Sequence, residues 1–204
     1  MARATAAKVD TSIAVLEAAK KVLHQNGYAK LSTRDVAAAA GVPLSQIHYH
    51  FGSKQGMLLA LYEYLNSQLL DRQNAMYANT TLTLSQQWDL ACDYLDDDIA
   101  SGYVRIMQEL VAASWSDPEV AKVLRAGLKG WLDLLTEAAR RAERSFGSLG
   151  PFSAEEIAGL VAQAFIGGES LYLLGAEQEG LPVRRVLRRV GDLIRFAEGN
   201  SSKR

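Results

Sequence analysis

The sequence predicts an all-α protein of about nine helices. Apolar residues recur at the three- and four-residue spacing of helices along most of its 204 residues, while long alternating apolar and polar runs, typical of strands, are absent from it. Hydrophobic residues make up 49% of the chain and charged residues 22%, a composition that supports a globular core.

The first three predicted helices are a longer one followed by two short ones. The first covers about residues 10–26. Ser32 and Asp35 have the spacing of a capping box, which places the start of the second helix. Gly41 ends that helix, because glycine readily adopts the positive φ of a tight turn. The third helix covers about residues 44–50.

The other six predicted helices fill the remainder of the chain. A long one follows Ser53-Lys54, with its leucines on the inner side. Pro118 suits the first turn of a later helix, and Ser153 with Glu156 forms a second capping box. The last five helices cover about residues 84–99, 102–114, 118–145, 154–177 and 183–198.

Composition excludes several classes of protein. Cys92 is the single cysteine, so no intrachain disulfide can form and nothing indicates an oxidising compartment. Residues 1–10 lack the apolar segment of a signal peptide. The most apolar stretch, residues 157–176, is interrupted by Gln163 and Glu169, which argues against a membrane span. We therefore expect a cytoplasmic protein that has no membrane partner.

The charge is unevenly distributed along the chain. Residues 1–56 carry seven basic and three acidic residues, a net +4, which leaves −5 for the remainder of a chain whose total is −1. A basic end on an acidic body favours a nucleic-acid contact at that end. An asymmetry of this size also arises by chance.

The second and third predicted helices, joined by a glycine turn, form a helix-turn-helix. The second helix of such a motif can lie in the major groove of DNA, provided that its inner side is apolar and its outer side polar or aromatic. Residues 44–50 have this character. The expected inner residues are Leu31, Val36, Val42 and Ile47.

Residues 31–58, LSTRDVAAAAGVPLSQIHYHFGSKQGML, resemble the DNA-binding region of the TetR family of bacterial transcriptional regulators. The residues that carry the resemblance are Thr33, Val36-Ala37, Ala40-Gly41-Val42, Tyr49-His50-Phe51, Ser53-Lys54 and Leu58. Two positions depart from the family pattern. Pro43 replaces a capping Ser or Thr, and His48 replaces a tyrosine.

The resemblance implies a set of DNA-contacting side chains: Thr33, Arg34, Leu44, Ser45, Gln46, His48, Tyr49, His50 and Lys54. Thr33 and Arg34 begin a helix, where exposed N–H groups favour a phosphate. Gln46 suits adenine, and Leu44 suits a thymine methyl group. Tyr49 and His50 resemble a pair that contacts phosphate or supports the helix. An ordinary cap, surface turn or solvated side chain is the alternative at these positions.

The resemblance also implies an effector pocket and a dimer interface in the body of the chain. The candidate pocket residues are Trp88, Tyr94, Tyr103, Met107, Trp115, Trp131, Phe165, Glu169 and Tyr172, with ordinary core packing as the alternative. Glu169 fits a pocket rim, a polar anchor inside the pocket, or a position near the two-fold axis. The candidate interface residues are Gly167, Gly168, Val183, Val186, Leu187, Val190 and Ile194, with packing inside one chain as the alternative. Opposite them we expect a solvated row of four arginines, Arg184, Arg185, Arg188 and Arg189.

These expectations combine into one hypothesis about organisation and function. A DNA-binding domain at 9–55, with its helix-turn-helix at about 32–51, precedes an effector-binding and dimerisation domain at 56–204. The chain is expected to be a homodimeric repressor that a small-molecule effector of unknown identity releases from a palindromic double-stranded DNA operator. The alternatives are a regulator of the same fold that responds to a protein partner or to no effector and, less favoured, an enzyme.

Catalysis and metal binding are not expected. The sequence shows no nucleophile–base pair and no glycine-rich phosphate loop. His48 and His50 are two residues apart, so on a helix they point about 200° apart and do not share an ion easily. We therefore expect neither an enzyme nor a bound cofactor or metal.

Overall fold

The computed structural model describes residues 2–27 and 30–201, and the side chains of residues 11–27 and 30–200. Over these residues it contains nine helices and no strands, which confirms the predicted all-α class. The helices are α1 (Ala2–Asn26), α2 (Thr33–Ala40), α3 (Leu44–Phe51), α4 (Lys54–Ala78), α5 (Leu84–Ser101), α6 (Tyr103–Ser114), α7 (Pro118–Phe146), α8 (Ala154–Leu173) and α9 (Val183–Ser201).

The chain forms two compact units. The first contains the residues up to Gln68 together with Ala100–Leu124, and the second contains Leu69–Ile99 together with the residues from Arg125 onward. The first unit is larger than the predicted domain at 9–55, because it also includes residues 56–68 of α4, all of α6 and the first turns of α7. Within the described residues, no helix is both long and apolar enough to span a membrane.

Local capping explains where α2 and α8 begin. The Ser32 hydroxyl accepts from the Asp35 backbone N–H at 3.1 Å and donates to the Asp35 carboxylate at 2.6 Å. At α8 the capping box is complete, because Ser153 Oγ accepts from the Glu156 N–H while Glu156 Oε2 accepts from the Ser153 N–H. The helix ends at Leu173, four residues before the predicted end.

The core of the first unit is built where α1 packs on α2 and α2 on α3. Each fully buried aliphatic side chain stabilises the fold by roughly 1.5–3 kcal/mol. The side chains with at most 2% exposure here include Val15, Leu23, Val36, Ile47, Met57, Leu58 and Leu61. Three of the four expected inner residues of the helix-turn-helix are therefore buried, and the fourth, Val42, is half-buried.

The core of the second unit is rich in aromatic and small residues. Leu135 of α7 packs with Ala158 and Ala162 of α8. The partly buried side chains around them are Tyr77, Trp131, Leu132 and Val161. The alanines allow α8 to approach α7 closely, because they present little side-chain volume.

Candidate nucleic-acid interface

Helix α3 has one buried side and one solvent-facing side. Ile47 is fully buried, whereas Tyr49 is 66% exposed. Ser45 and His48 are exposed, and the other predicted DNA-contacting residues on α3, Leu44, Gln46 and His50, are half-buried. The helix therefore presents polar and aromatic side chains outward, as a helix that enters a DNA groove must.

Backbone geometry fixes both ends of α3. Gly41 has a φ of 68°, in the left-handed region that favours glycine, and ends α2. Pro43 occupies the N-cap position of α3 with φ −60° and ψ 144°, so its ring holds the backbone angle there. At the other end, the Gly52 N–H donates to the His48 carbonyl at 3.0 Å.

His48, which departs from the family pattern, interacts with its own helix end. Its Nδ1 lies 3.3 Å from the carbonyl oxygen of Gly52, and a ring N–H at that nitrogen can donate to it. This contact orients the imidazole ring and leaves Nε2 for another partner.

The predicted phosphate contacts lie at the starts of α2 and α4. Thr33 is the first residue of α2 and is half-buried, and Arg34 beside it is exposed. The Asp35 carboxylate in the same turn opposes an anion there. Lys54, the first residue of α4, is half-buried. The charge of Lys54 also acts on the Glu109 carboxyl. Burial raises the pKa of Glu109, and the charges of Arg105 and Lys54 partly counter that increase.

Part of the basic charge lies elsewhere in the first unit. An open groove of about 650 Å³ runs along α1, and Lys20, Lys21 and His24 line it together with Glu17 and Ser101. The +4 charge of residues 1–56 is therefore not concentrated on the helix-turn-helix alone, and the charge asymmetry in the sequence is a weaker indicator of the DNA-binding face than the packing of α3.

Sequence reasoning missed Gln55 and Asp117. The Gln55 side-chain amide donates to Asp117 Oδ2 at 2.5 Å. The sequence shows Asp117 only as the residue before Pro118, which starts a helix. No sequence pattern connects Asp117 to Gln55, which lies 62 positions earlier.

The candidate pocket residues divide between the two units. Tyr103, Met107 and Trp115 belong to the first unit. Tyr103 stacks on Tyr62 with ring centroids 6.3 Å apart and donates to Asn66 Oδ1 at 3.2 Å. Trp115 is 82% exposed, so it lies at the surface.

In the second unit, three of the candidates form a cluster. Phe165 makes edge contacts with Trp88 and Trp131, at centroid distances of 5.5 and 6.2 Å. Both indole N–H groups have partners inside the chain, the Leu187 carbonyl at 2.7 Å for Trp88 and Gln73 Oε1 at 2.8 Å for Trp131. These contacts favour core packing for the two tryptophans.

The other three candidates in the second unit lie outside that aromatic cluster. The Arg72 guanidinium lies over the Tyr94 ring and the Arg184 guanidinium over the Tyr172 ring, at 4.4 and 4.9 Å from the centroids. Glu169 is buried, which opposes the rim alternative for its position.

The candidate interface residues lie on α8 and on both the buried and the exposed sides of α9. Gly168 of α8 packs inside the chain, where a Cβ would be 3.4 Å from both Val183 and Leu187, and these two side chains are buried. Of the remaining candidates, Gly167 and Val186 are exposed, and Val190 and Ile194 are half-buried. Further exposed large apolar residues on or beside α8 and α9, which sequence reasoning did not select, are Leu160, Leu171, Leu174, Leu193 and Phe196.

The expectation of a solvated arginine row on α9 is wrong for two of its members. Arg188 Nη2 lies 2.6 Å from Asp96 Oδ2 and 2.8 Å from Asp93 Oδ1. Arg184 pairs with Glu177 at 2.7 Å and with Asp96 at 3.2 Å. These arginines join α9 to the acidic side of α5, whereas Arg185 and Arg189 are exposed.

Comparison with known proteins agrees with this geometry. The model for bacterial regulatory proteins of the tetR family matches residues 15–61. The HTH-type transcriptional regulator CymR of Pseudomonas putida is 33% identical over 125 residues, which are 59% of this chain and 57% of CymR. The alignment thus spans little more than half the length of that relative.

Solved structures share the fold over most of the chain. A TetR transcription regulator from Haloarcula marismortui ATCC 43049 has a TM-score of 0.75 at 16% identity and covers 91% of this chain and 96% of its own. A putative transcriptional regulator from Saccharomonospora viridis, in complex with choline, has a TM-score of 0.75 at 19% identity, with 92% and 96% covered.

The transcriptional regulator FadR from Bacillus subtilis, in complex with stearoyl-CoA, has a TM-score of 0.70 at 16% identity, with 89% and 96% covered. At these identities the likenesses concern the fold. Residues 15–61 therefore match the tetR family of bacterial regulatory proteins, and the chain as a whole shares its fold with solved transcriptional regulators.

Proposed function

We propose that this chain is a DNA-binding transcriptional regulator of the cytoplasm, a homodimeric repressor that a small-molecule effector releases from a palindromic operator. The observation that carries the proposal is the packing of α3 within the segment that matches the tetR family. Ile47 anchors this helix in the core, while Tyr49, on nearly the opposite side, faces solvent.

In this proposal one group of residues contacts the bases of DNA and another contacts its phosphates. Ser45, Gln46 and Tyr49 of α3 meet base edges in the major groove, where each base pair shows its own donor and acceptor pattern. Thr33 and Lys54, at the starts of the flanking helices, meet phosphates and fix the register of the protein on the duplex.

The homodimer is proposed to form through α8 and α9. Val186, Leu193 and Phe196 of α9 are 56%, 69% and 72% exposed, and Leu160 and Leu171 of α8 add further exposed apolar surface. Large apolar side chains exposed in such numbers on two neighbouring helices are typical of a protein interface. A two-fold dimer would present two copies of α3 to half-sites about 34–36 Å apart.

The repressor is proposed to respond to a small-molecule effector. The support for this is that two proteins of the same fold have been solved with small molecules, choline in one and stearoyl-CoA in the other. A thermal-shift screen tests it, because a ligand at 100 times its Kd stabilises the folded state by about 2.7 kcal/mol. A screen in which no small molecule stabilises the chain would favour control by a protein partner or no effector.

Selection from a random duplex library tests the proposed function as a whole. We expect the purified full-length chain to enrich a two-fold symmetric sequence with half-sites about one helical turn apart. Recovery of duplexes with no common sequence would contradict a sequence-reading regulator.

A further inference from the structure

Asp117 uses its two carboxylate oxygens in two different contacts. Oδ1 accepts from the backbone N–H groups of Glu119 and Val120, at 3.0 and 3.2 Å, and so caps the start of α7. Oδ2 accepts from the side-chain amide of Gln55 at 2.5 Å. One carboxylate therefore joins the turn between α6 and α7 to the first turn of α4.

The first turn of α4 is also tightly packed against the end of α3. A Cβ at Gly56 would lie 2.1 Å from the carbonyl oxygen of Phe51, the last residue of α3, so only glycine fits there. Ser53 Oγ accepts from the Gly56 N–H at 3.0 Å. Because of this close backbone contact, a displacement of the first turn of α4 displaces the end of α3 as well.

We propose that the Gln55–Asp117 contact is a latch that positions the first turn of α4, and through it the end of α3, for docking on DNA. This inference rests on the proposed function. Gln55 and Asp117 act as positioning residues, since the latch requires no contact of either side chain with DNA. Lys54, adjacent to Gln55, is the group whose placement the latch controls most directly.

The charge state of Asp117 suits this role. The Gln55 hydrogen bond, together with the backbone N–H of Val120, holds the pKa of this carboxyl below its usual range. The carboxylate is therefore an ionised acceptor at neutral pH.

Simple electrostatics and the latch predict opposite effects of losing Asp117. Removing a negative charge near a polyanion should strengthen DNA binding, because the repulsion disappears. If the latch positions α4, its loss should weaken binding instead. The sign of the change therefore separates the two explanations.

Two variants break the latch and leave the α7 cap in place. Serine is a good N-cap residue, so Asp117→Ser keeps the cap but is too short to hold Gln55. Gln55→Met keeps the side-chain length and removes the donor. For each variant we expect the full-length protein to lose roughly threefold to tenfold in affinity for its selected duplex, the scale of one lost hydrogen bond.

The double variant tests whether the two residues act through each other. We expect Gln55→Met combined with Asp117→Ser to bind no more weakly than either single variant, because the second change has no latch left to break. Additive losses would overturn the proposal, since Gln55 would then contact DNA independently of Asp117.

Glu119→Gln is the matched control, because it removes the same charge from the same turn without touching Gln55. We expect it to leave DNA affinity unchanged or slightly higher. If Asp117→Ser behaves like Glu119→Gln, or lowers the thermal midpoint while affinity below that midpoint stays intact, the latch is wrong and the proposed function stands. If the wild-type chain does not prefer its selected duplex over a shuffled one, the proposed function and the latch both fail.

Discussion

At the scale of single residues, helix α3 shows how two neighbouring positions take opposite roles. Ile47 and Tyr49 are two residues apart, about 200° around the helix, so one is buried and the other faces solvent. Apolar periodicity in the sequence is sufficient to predict this division. It does not predict the contact between Gln55 and Asp117, because that contact depends on tertiary packing between distant segments.

Lys54 provides a residue-scale test of phosphate contact. We expect Lys54→Ala to weaken binding to selected and random duplexes alike, and to reduce the slope of log affinity against log salt by about one. The measurement is a series of fluorescence-anisotropy titrations of DNA binding at salt concentrations between about 50 and 200 mM. Lys122→Ala, an exposed lysine on α7, is the control. An unchanged slope for Lys54→Ala would contradict the phosphate contact.

Cys92 provides a test of burial in the second unit. Burial raises the pKa of its thiol to about 11, so at pH 8 the thiol is neutral and a poor nucleophile. We expect iodoacetamide at pH 8 to leave the native protein unmodified and to alkylate it once urea unfolds the second unit. Mass spectrometry measures the fraction modified. Rapid alkylation of the native chain would mean that this part of α5 is open to solvent.

At the scale of helices, the nine elements are predicted well because each carries its own periodicity and end signals. The packing partners of α9 are not. Its apolar stripe is visible in the sequence, but the acidic residues of α5 that pair with Arg184 and Arg188 lie 88 and 92 positions away. Gly168 similarly packs on Val183 and Leu187 inside the chain, while its neighbour Gly167 is exposed.

The α5–α9 ion pairs should contribute modestly to stability, because their groups are partly exposed to solvent. We expect Asp96→Asn to lower the free energy of unfolding by roughly 0.5–1 kcal/mol at low salt, since it weakens the contacts with both arginines. Asp97→Asn, the adjacent exposed aspartate, should have little effect. Urea unfolding should be measured at about 50 mM salt, where screening is weak, and at about 1 M salt, where it is strong. We expect the free energy of unfolding of Asp96→Asn to differ from that of the wild type at low salt only. A difference that persists at high salt would argue against ion pairing as its origin.

We expect the exposed apolar side of α9 to hold the proposed dimer together. Phe196→Glu places a charge on that surface, so we expect the sedimentation coefficient to fall toward that of a monomer at micromolar concentration, while helical content is retained. Leu128→Glu, at another exposed apolar position, is the control and should leave the association state unchanged. A Phe196→Glu chain that still sediments as a dimer would place the interface elsewhere.

At the scale of the whole molecule, the grouping of helices differs from the predicted domain boundary between residues 55 and 56. The first unit continues to Gln68 and includes Ala100–Leu124. Sequence patterns mark where a helix starts and which of its sides is apolar, but they carry little information on which distant helix covers that side. The predicted DNA-binding segment is therefore recognisable from local sequence, whereas the contact of Gln55 with Asp117, in the turn between α6 and α7, is not.

Sequence preference on DNA depends on every part of the proposed function. It requires an α3 whose polar side faces solvent, phosphate contacts that set the register, and two copies of the chain. The most direct measurement is the ratio of Kd values for a shuffled duplex and the selected palindrome, for the wild-type protein and for a variant with Ser45, Gln46 and Tyr49 all changed to alanine. We predict a ratio of about 10³ or more for the wild type at physiological salt, and a ratio near one for the variant with its thermal midpoint retained. A variant that keeps the wild-type ratio would show that α3 does not read the sequence.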